Sequence, residues 1–320
     1  MEVLRVMTRC DKYGEVKSKK YHFDGVLHSP DNNTPALAKY YKGGKLKCRI
    51  FCNHGKYHRD GDLPSIEEFW ENGNMKSIKY YIDGVIKRIG DEPAFIEFHK
   101  NGNTSAEHFY RNGESYHRDG DKPALITYYE SRNIKLEKYY IDGSLHRDGD
   151  KPACIKYHFS EIIGDKIISD EEYFIQGKYV RDGDKPTIIA YYNNKVVREK
   201  RYYYNMHFHR DDDKPAHIEF YKNGDISAEH YYHNGLHHRS KHLPAIIYYN
   251  EKMTIINKLY YVGGVRYTPP TLVEKCKIEI KDGKIIISVC SCAECKKQII
   301  DRLTKLLTGG EPHCDHSTAS

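Results

Sequence analysis

Proline recurs in this chain with a period that leaves few folds open. Pro35, Pro64, Pro93, Pro123, Pro152, Pro186, Pro215 and Pro244 are separated by 29, 29, 30, 29, 34, 29 and 29 residues. Two further markers keep the same register. An aromatic pair recurs at Tyr80-Tyr81, Phe109-Tyr110, Tyr139-Tyr140, Tyr173-Phe174, Tyr202-Tyr203, Tyr231-Tyr232 and Tyr260-Tyr261. A turn dipeptide follows it at Asp83-Gly84, Asn112-Gly113, Asp142-Gly143, Gln176-Gly177 and Asn234-Gly235. Three markers in step define a repeat protein, in which each unit covers its apolar face with its neighbours instead of sharing one large core.

The content of one unit predicts strands. After Pro215, Ala216, Ile218 and Phe220 alternate with His217, Glu219 and Tyr221, a period of two. Asn223-Gly224 reads as a two-residue hairpin turn. The run from Ile226 to His233 then pairs back, and Asn234-Gly235 turns the chain again. A short third strand is expected at the Tyr-His-Arg stretch, and proline at the start of the next strand removes a donor where none is needed. The expected fold is all-β, an elongated antiparallel β-hairpin repeat array. About 16 strands at ~4.8 Å spacing would run roughly 75 Å. The single long gap, between Pro152 and Pro186, is an insertion near Ile162-Ile163-Gly164-Asp165.

Three segments follow. Residues 1–34 form a degenerate N-terminal repeat, with Asp24-Gly25 at its turn, and residues 35–268 are the array. Residues 269–320 form a small Cys-rich α+β cap: a hairpin around Asp282-Gly283, then a helix over 294–307 on the spacing of Ile299, Ile300, Leu303, Leu306 and Leu307.

Composition narrows the class. Aromatics make up 12% of the chain, with 29 Tyr, which excludes disorder over most of its length. Net charge is +6 from 51 basic and 45 acidic residues, interspersed as on a solvated surface. No run approaches the ~18 apolar residues of a membrane span, and the N-terminus carries no signal-peptide pattern. Nine Cys, five of them after residue 275, are not a secreted disulfide framework. They predict a reducing, intracellular setting.

The element His-Arg-Asp-Gly-Asp-Lys-Pro-Ala-x-Ile at His117 and His146, flanked by aromatic-x-Asn/Asp-Gly turns, resembles a repeat family of uncharacterised proteins of large DNA viruses and of some bacteria and phages. It is loosely similar to MORN-type β-hairpin repeats, although the Gly-x-Gly element of those repeats is missing. The resemblance covers residues ~20–268 and implies a binding or scaffold protein, virion-associated if viral.

Several motifs carry candidate chemistry. His-Arg-Asp, at His58, His117, His146 and His209, is also the catalytic-loop tripeptide of protein kinases. Its recurrence, without the partner motifs of a kinase, assigns it to the repeat. The recurrent Arg59, Arg88, Arg118, Arg147, Arg181, Arg210 and Arg239 are either held by loop carboxylates or form a guanidinium ladder that reads phosphates. Asp-Gly-Asp has the acidic spacing of calcium-binding repeats, but the adjoining Arg and Lys repel a cation and no bidentate acid closes the loop. His230, His233, His237, His238 and His242 form a local cluster. In the tail, Cys292, Cys295, Cys314 and His316, with His313 beside them, suit one structural zinc. Free thiols and a redox dithiol are the other readings of that set.

The expected function is therefore non-catalytic: a structural or protein-interaction scaffold. No cofactor is expected apart from the tail zinc. The partner surface is a row of outward side chains, one per unit, at His99, Tyr129, Tyr192, Tyr221 and Tyr249, since Tyr offers large area at low entropy cost. The rival is a nucleic-acid or anionic-surface binder acting through loops such as Arg118 and Arg147. An enzyme with its catalytic unit in the tail is the third class, and ~50 residues are few for a catalytic domain.

Overall fold

The computed structural model describes residues 4–111, 113, 115–160, 165–240, 243–269, 277–281 and 284–288. Among them there is no helix, and so none long and apolar enough to cross a membrane. The chain divides into two compact units, Met1–Val265 and Arg266–Ser320.

The first unit is built on one long antiparallel sheet of 20 strands. Each repeat adds a hairpin such as His217–Phe220 with Ile226–His230. The second strand then pairs with the next repeat, Ala228 opposite Tyr248. Residues 4–23 are a terminal hairpin of the same sheet: Leu4–Cys10 pairs with Val16–Phe23, which pairs with Leu37–Tyr40. Where the sequence carries its insertion, the flanking strands lengthen to Cys154–Ser160 and Asp165–Glu172. Residues 161–164 lie outside the described residues.

Two local details differ from the sequence reading. The turn at Asn223-Gly224 is not a two-residue turn. Tyr221 N–H donates to Asp225 O at 2.8 Å and Gly224 N–H to Tyr221 O at 3.0 Å, with Gly224 at φ 95°. This is a three-residue loop with its last residue left-handed. It matches the one-residue register slip between Glu219 and Phe220, which recurs in the other long hairpins. The run Ile226 to His233 is also two strands. It breaks at buried Tyr231, whose N–H donates to Ala245 O, and Tyr232–His233 leaves the sheet to pair with Leu236–His237.

These short hairpins form a second row. Their turn residues both have positive φ, Asn234 at 49° and Gly235 at 83°, the type I′ geometry. Gly235 N–H donates to Phe208 O of the preceding hairpin at 2.9 Å. A Cβ there would sit 3.2 Å from His207 Nδ1, so glycine is favoured by conformation and by proximity, although Met206 adopts the same positive φ in the preceding hairpin. The same stitch joins Gly84 to Tyr57, Gly177 to Leu145 and Gly264 to His237.

The aromatic pair feeds both layers, because successive residues of an extended chain face opposite ways. Its first member is buried, as Phe109, Tyr139 and Tyr231 are. Its second member joins a ring ladder that runs through Phe174, Tyr179, Tyr203, Phe208, Tyr232, His237 and Tyr261, with centroids 4.1–5.3 Å apart. Each such contact adds about 0.5–1.5 kcal/mol beyond area burial. The residue after each repeat proline is a small side chain closed off from solvent: Ala124, Ala153 and Ala216 are fully buried, and Ser65 and Thr187 fill the same position in two other repeats.

In the second unit Lys277–Lys281 pairs with Lys284–Ser288, the hairpin expected around Asp282-Gly283. The expected helix over 294–307 and the zinc set Cys292, Cys295, Cys314 and His316 lie outside the described residues.

Candidate functional site

The polar loop between repeats works as a three-way connector. In His146-Arg147-Asp148-Gly149-Asp150-Lys151, His146 Nδ1 accepts the backbone N–H of Gln176, one repeat ahead, at 3.2 Å. Nε2 must then carry the proton, and it faces Asp148 Oδ1 at 2.9 Å. His58, His117 and His209 repeat both contacts. The Arg147 guanidinium lies 3.7 Å over the Tyr139 ring. It donates Nε–H and Nη2–H to the two oxygens of Asp121, one repeat behind, at 2.6 and 3.3 Å, and Nη1–H to Pro152 O at 3.3 Å. Lys151 Nζ reaches the same Asp121 at 2.7 Å. Arg118, Arg181, Arg210 and Arg239 repeat the stack and the carboxylate fork.

These contacts decide the electrostatics of the loop row. Hydrogen bonds from the arginine, and then the lysine, hold the Asp91, Asp121, Asp150 and Asp184 carboxyls down to about 2. The Arg118 and Arg147 side chains keep only 17% and 15% of their area in solvent. By contrast Asp60, Asp119, Asp148 and Asp211 are 84–88% exposed. The loop row thus covers its guanidiniums and offers carboxylates to solvent.

The expected row of outward rings is present, and each member is half-buried and engaged. The hydroxyls of Tyr129, Tyr192 and Tyr221 donate to Tyr157 O, Phe220 O and Tyr249 O of the next repeat, at 2.9, 2.7 and 2.6 Å. Tyr41 does the same to Phe69 O, Trp70 Nε1–H donates to Phe98 O, and His99 Nε2 faces Tyr128 O. Tyr249 does not belong to this row. It stands five residues after its proline and not six, and its hydroxyl donates to Glu229 at 2.8 Å, as Tyr128 donates to Glu107 and Tyr191 to Glu171. The row position in that repeat is Asn250.

A third arrangement is peculiar to one repeat. His217 and His230 are cross-strand partners with rings 4.9 Å apart and 19° from parallel. Glu219, two residues along the same face, places Oε1 3.2 Å from His230 Nε2 and 3.8 Å from His217 Nε2. Glu199 on the adjoining strand comes within 2.9 Å of His217 Nε2 and also pairs with Arg201 at 2.8 Å. Burial alone would raise the Glu199 carboxyl, but His217 and Arg201 outweigh it and hold it down to about 2. His230 from the expected histidine cluster is here, and the His237 ring lies 5.8 Å from it. His233 and His238 pack with each other and with His209 instead, and His242 lies outside the described residues. Sequence reading missed His217 and Glu219. The signal was the repeat register: in this unit alone, histidine occupies both the second and the fifteenth position after proline.

Three cysteines of the array, Cys48, Cys52 and Cys154, are buried and free. Burial pushes the Cys52 thiol up to about 11 and the Cys154 thiol up to about 12, far from a nucleophilic thiolate. Compared with protein-family models and with curated proteins, the chain matches none.

Proposed function

We propose that the repeat array is a non-catalytic scaffold that docks a protein partner along its loop row. The observation that carries this reading is the row of exposed carboxylates, Asp60, Asp119, Asp148 and Asp211, set above covered guanidiniums. Neighbouring repeats are two sheet strands apart, so Asp119 and Asp148 stand roughly 10 Å apart, while Ile89 holds the same loop position between Asp60 and Asp119 and Asp182 holds it between Asp148 and Asp211. Such a row suits an extended partner with basic side chains. The Tyr129, Tyr192 and Tyr221 rings stand at the hairpin turns, at the other end of the strands from these loops, and their hydroxyls serve neighbouring repeats. A virion-associated setting is carried by the motif resemblance, and an intracellular one by the buried free thiols.

Affinity capture on the full chain tests the reading, with wild type set against an Asp60→Asn, Asp119→Asn, Asp148→Asn, Asp211→Asn variant. Asn keeps an acceptor for each histidine and removes the charge. The proposal expects a protein held by wild type to be lost by the variant. Recovery of nucleic acid, with affinity falling steeply in salt, replaces it with the anionic-surface reading.

A further inference from the structure

The repeat that starts at Pro215 carries a side-chain set that its neighbours lack, and that set holds an unexplained buried histidine. His230 is 8% exposed, and neither ring nitrogen has a hydrogen-bond partner of proper geometry; Nδ1 of His237 is likewise buried and unpaired. Unpaired buried donors and acceptors are uncommon, because leaving one unmet costs about 1–3 kcal/mol. One ligand atom each from His217, Glu219 and His230 lies within 4.8 Å of the others, the only such trio among the described residues.

The geometry points to a divalent transition-metal site, with zinc as its occupant, held by His217, His230 and Glu219 and completed by Glu199. Donors around a tetrahedral zinc stand about 3.4 Å apart, given Zn–N distances of ~2.0–2.1 Å. The His230–Glu219 and His217–Glu219 separations of 3.2 and 3.8 Å bracket that value, and all three donor atoms lie within 4.8 Å of one another, so rotations of the two stacked imidazoles that move their nitrogens by about an ångström close the set. Two imidazoles with carboxylates suit zinc and its neighbours, whereas calcium and magnesium require oxygen ligands. Two carboxylates face the site; the Arg198 and Arg201 guanidiniums both pair with Glu199, at 3.1 and 2.8 Å, and the Glu219 carboxylate lies between the two histidines. The four ligands come from three adjacent strands, Val197–Arg201, His217–Phe220 and Ile226–His230. The ion therefore clamps one repeat to the preceding one at a single point of the array.

The test uses the full chain in a Cys276→Ser, Cys290→Ser, Cys292→Ser, Cys295→Ser, Cys314→Ser background, which removes the five tail thiols. After chelation and dialysis, Zn2+ and Co2+ are titrated, with elemental analysis and the visible Co2+ spectrum as readouts. The expected result is one ion per chain and a tetrahedral Co2+ spectrum without thiolate charge transfer. His217→Phe with His237→Tyr copies the side chains at Phe95 and Tyr116 of an earlier repeat, so the variant folds, and its affinity falls at least about 10-fold. Glu219→Gln, at a half-exposed position, gives a second measurement with the same expected loss. A chain without tail thiols that binds no ion overturns the proposal, as does a chain whose affinity is unchanged in these variants.

Discussion

Residues 94–113 and 216–235 are the same unit written twice, with 14 of 20 positions identical. The backbone register is identical too: Phe95 opposes His108 as His217 opposes His230. Yet His108 is satisfied and His230 is not. The His108 ring stacks on Phe95 at 4.4 Å, with Nδ1 2.9 Å from the Tyr116 hydroxyl and Nε2 3.2 Å from Glu97. In the later repeat Phe95 becomes His217 and the Tyr116 position in the short hairpin becomes His237, so the hydroxyl is gone and two more imidazoles arrive. The backbone of a repeat tolerates either outcome. Two side chains decide whether the buried histidine is a structural hydrogen-bond partner or a free ligand.

The largest effect expected from variants is one that the two repeats share. Arg118→Ala and Arg239→Ala each remove a guanidinium stacked 3.6–3.7 Å over a buried ring and forked onto an aspartate of the preceding repeat. Each is expected to cost about 2–3 kcal/mol in denaturant unfolding. Unequal losses would break the idea that the loop connector is independent of what each repeat carries on its other face.

A smaller effect separates the repeats. His108→Leu strands the Tyr116 hydroxyl and should cost about 1–3 kcal/mol. In metal-free protein, His230→Leu removes two unpaired nitrogens and should be neutral or stabilising. Equal destabilisation by both would erase the contrast.

Smaller again is the ring row. Tyr129→Phe and Tyr221→Phe delete one hydroxyl-to-backbone bond each, about 0.5–1.5 kcal/mol. If thermal midpoints do not move while partner capture falls, the rings belong to the docking surface after all.

Acid titration gives the smallest effect per group. Asp91, Asp121, Asp150 and Asp184 have carboxyls depressed to about 2, so their contribution is complete above the ordinary aspartate range near 4 and is lost as pH falls from about 4 to about 2. All four lie between Pro64 and Pro215, and as exposed groups they are screened by solvent and salt. The thermal midpoint should decline over that window and change little between pH 5 and 7. Asp150→Asn should remove part of the decline.

What was legible in the sequence was whatever depends on period and parity. Proline spacing, the aromatic pair and the Asx-Gly turns dictate hairpins, because a strand alternates every two residues and left-handed turn positions favour Gly, Asn and Asp. The sheet, a degenerate first repeat within residues 1–34 and the connector role of His-Arg-Asp follow from that logic. The place of Tyr249 did not, since a tyrosine doublet straddles the row position and only the bulge decides which ring faces which way. Nor did the orientation of charge in the loops: the sequence shows Arg and Asp side by side, and only packing shows that Arg147 turns inward onto Tyr139 while Asp148 turns to water. The histidine site lay deepest. His217 and His230 are 13 residues apart and become partners through strand register, and His237 reaches them from a different layer. Local pattern determines each hairpin because its contacts are short in sequence. Which side chains share a buried space is decided only when neighbouring repeats and the second layer close over them.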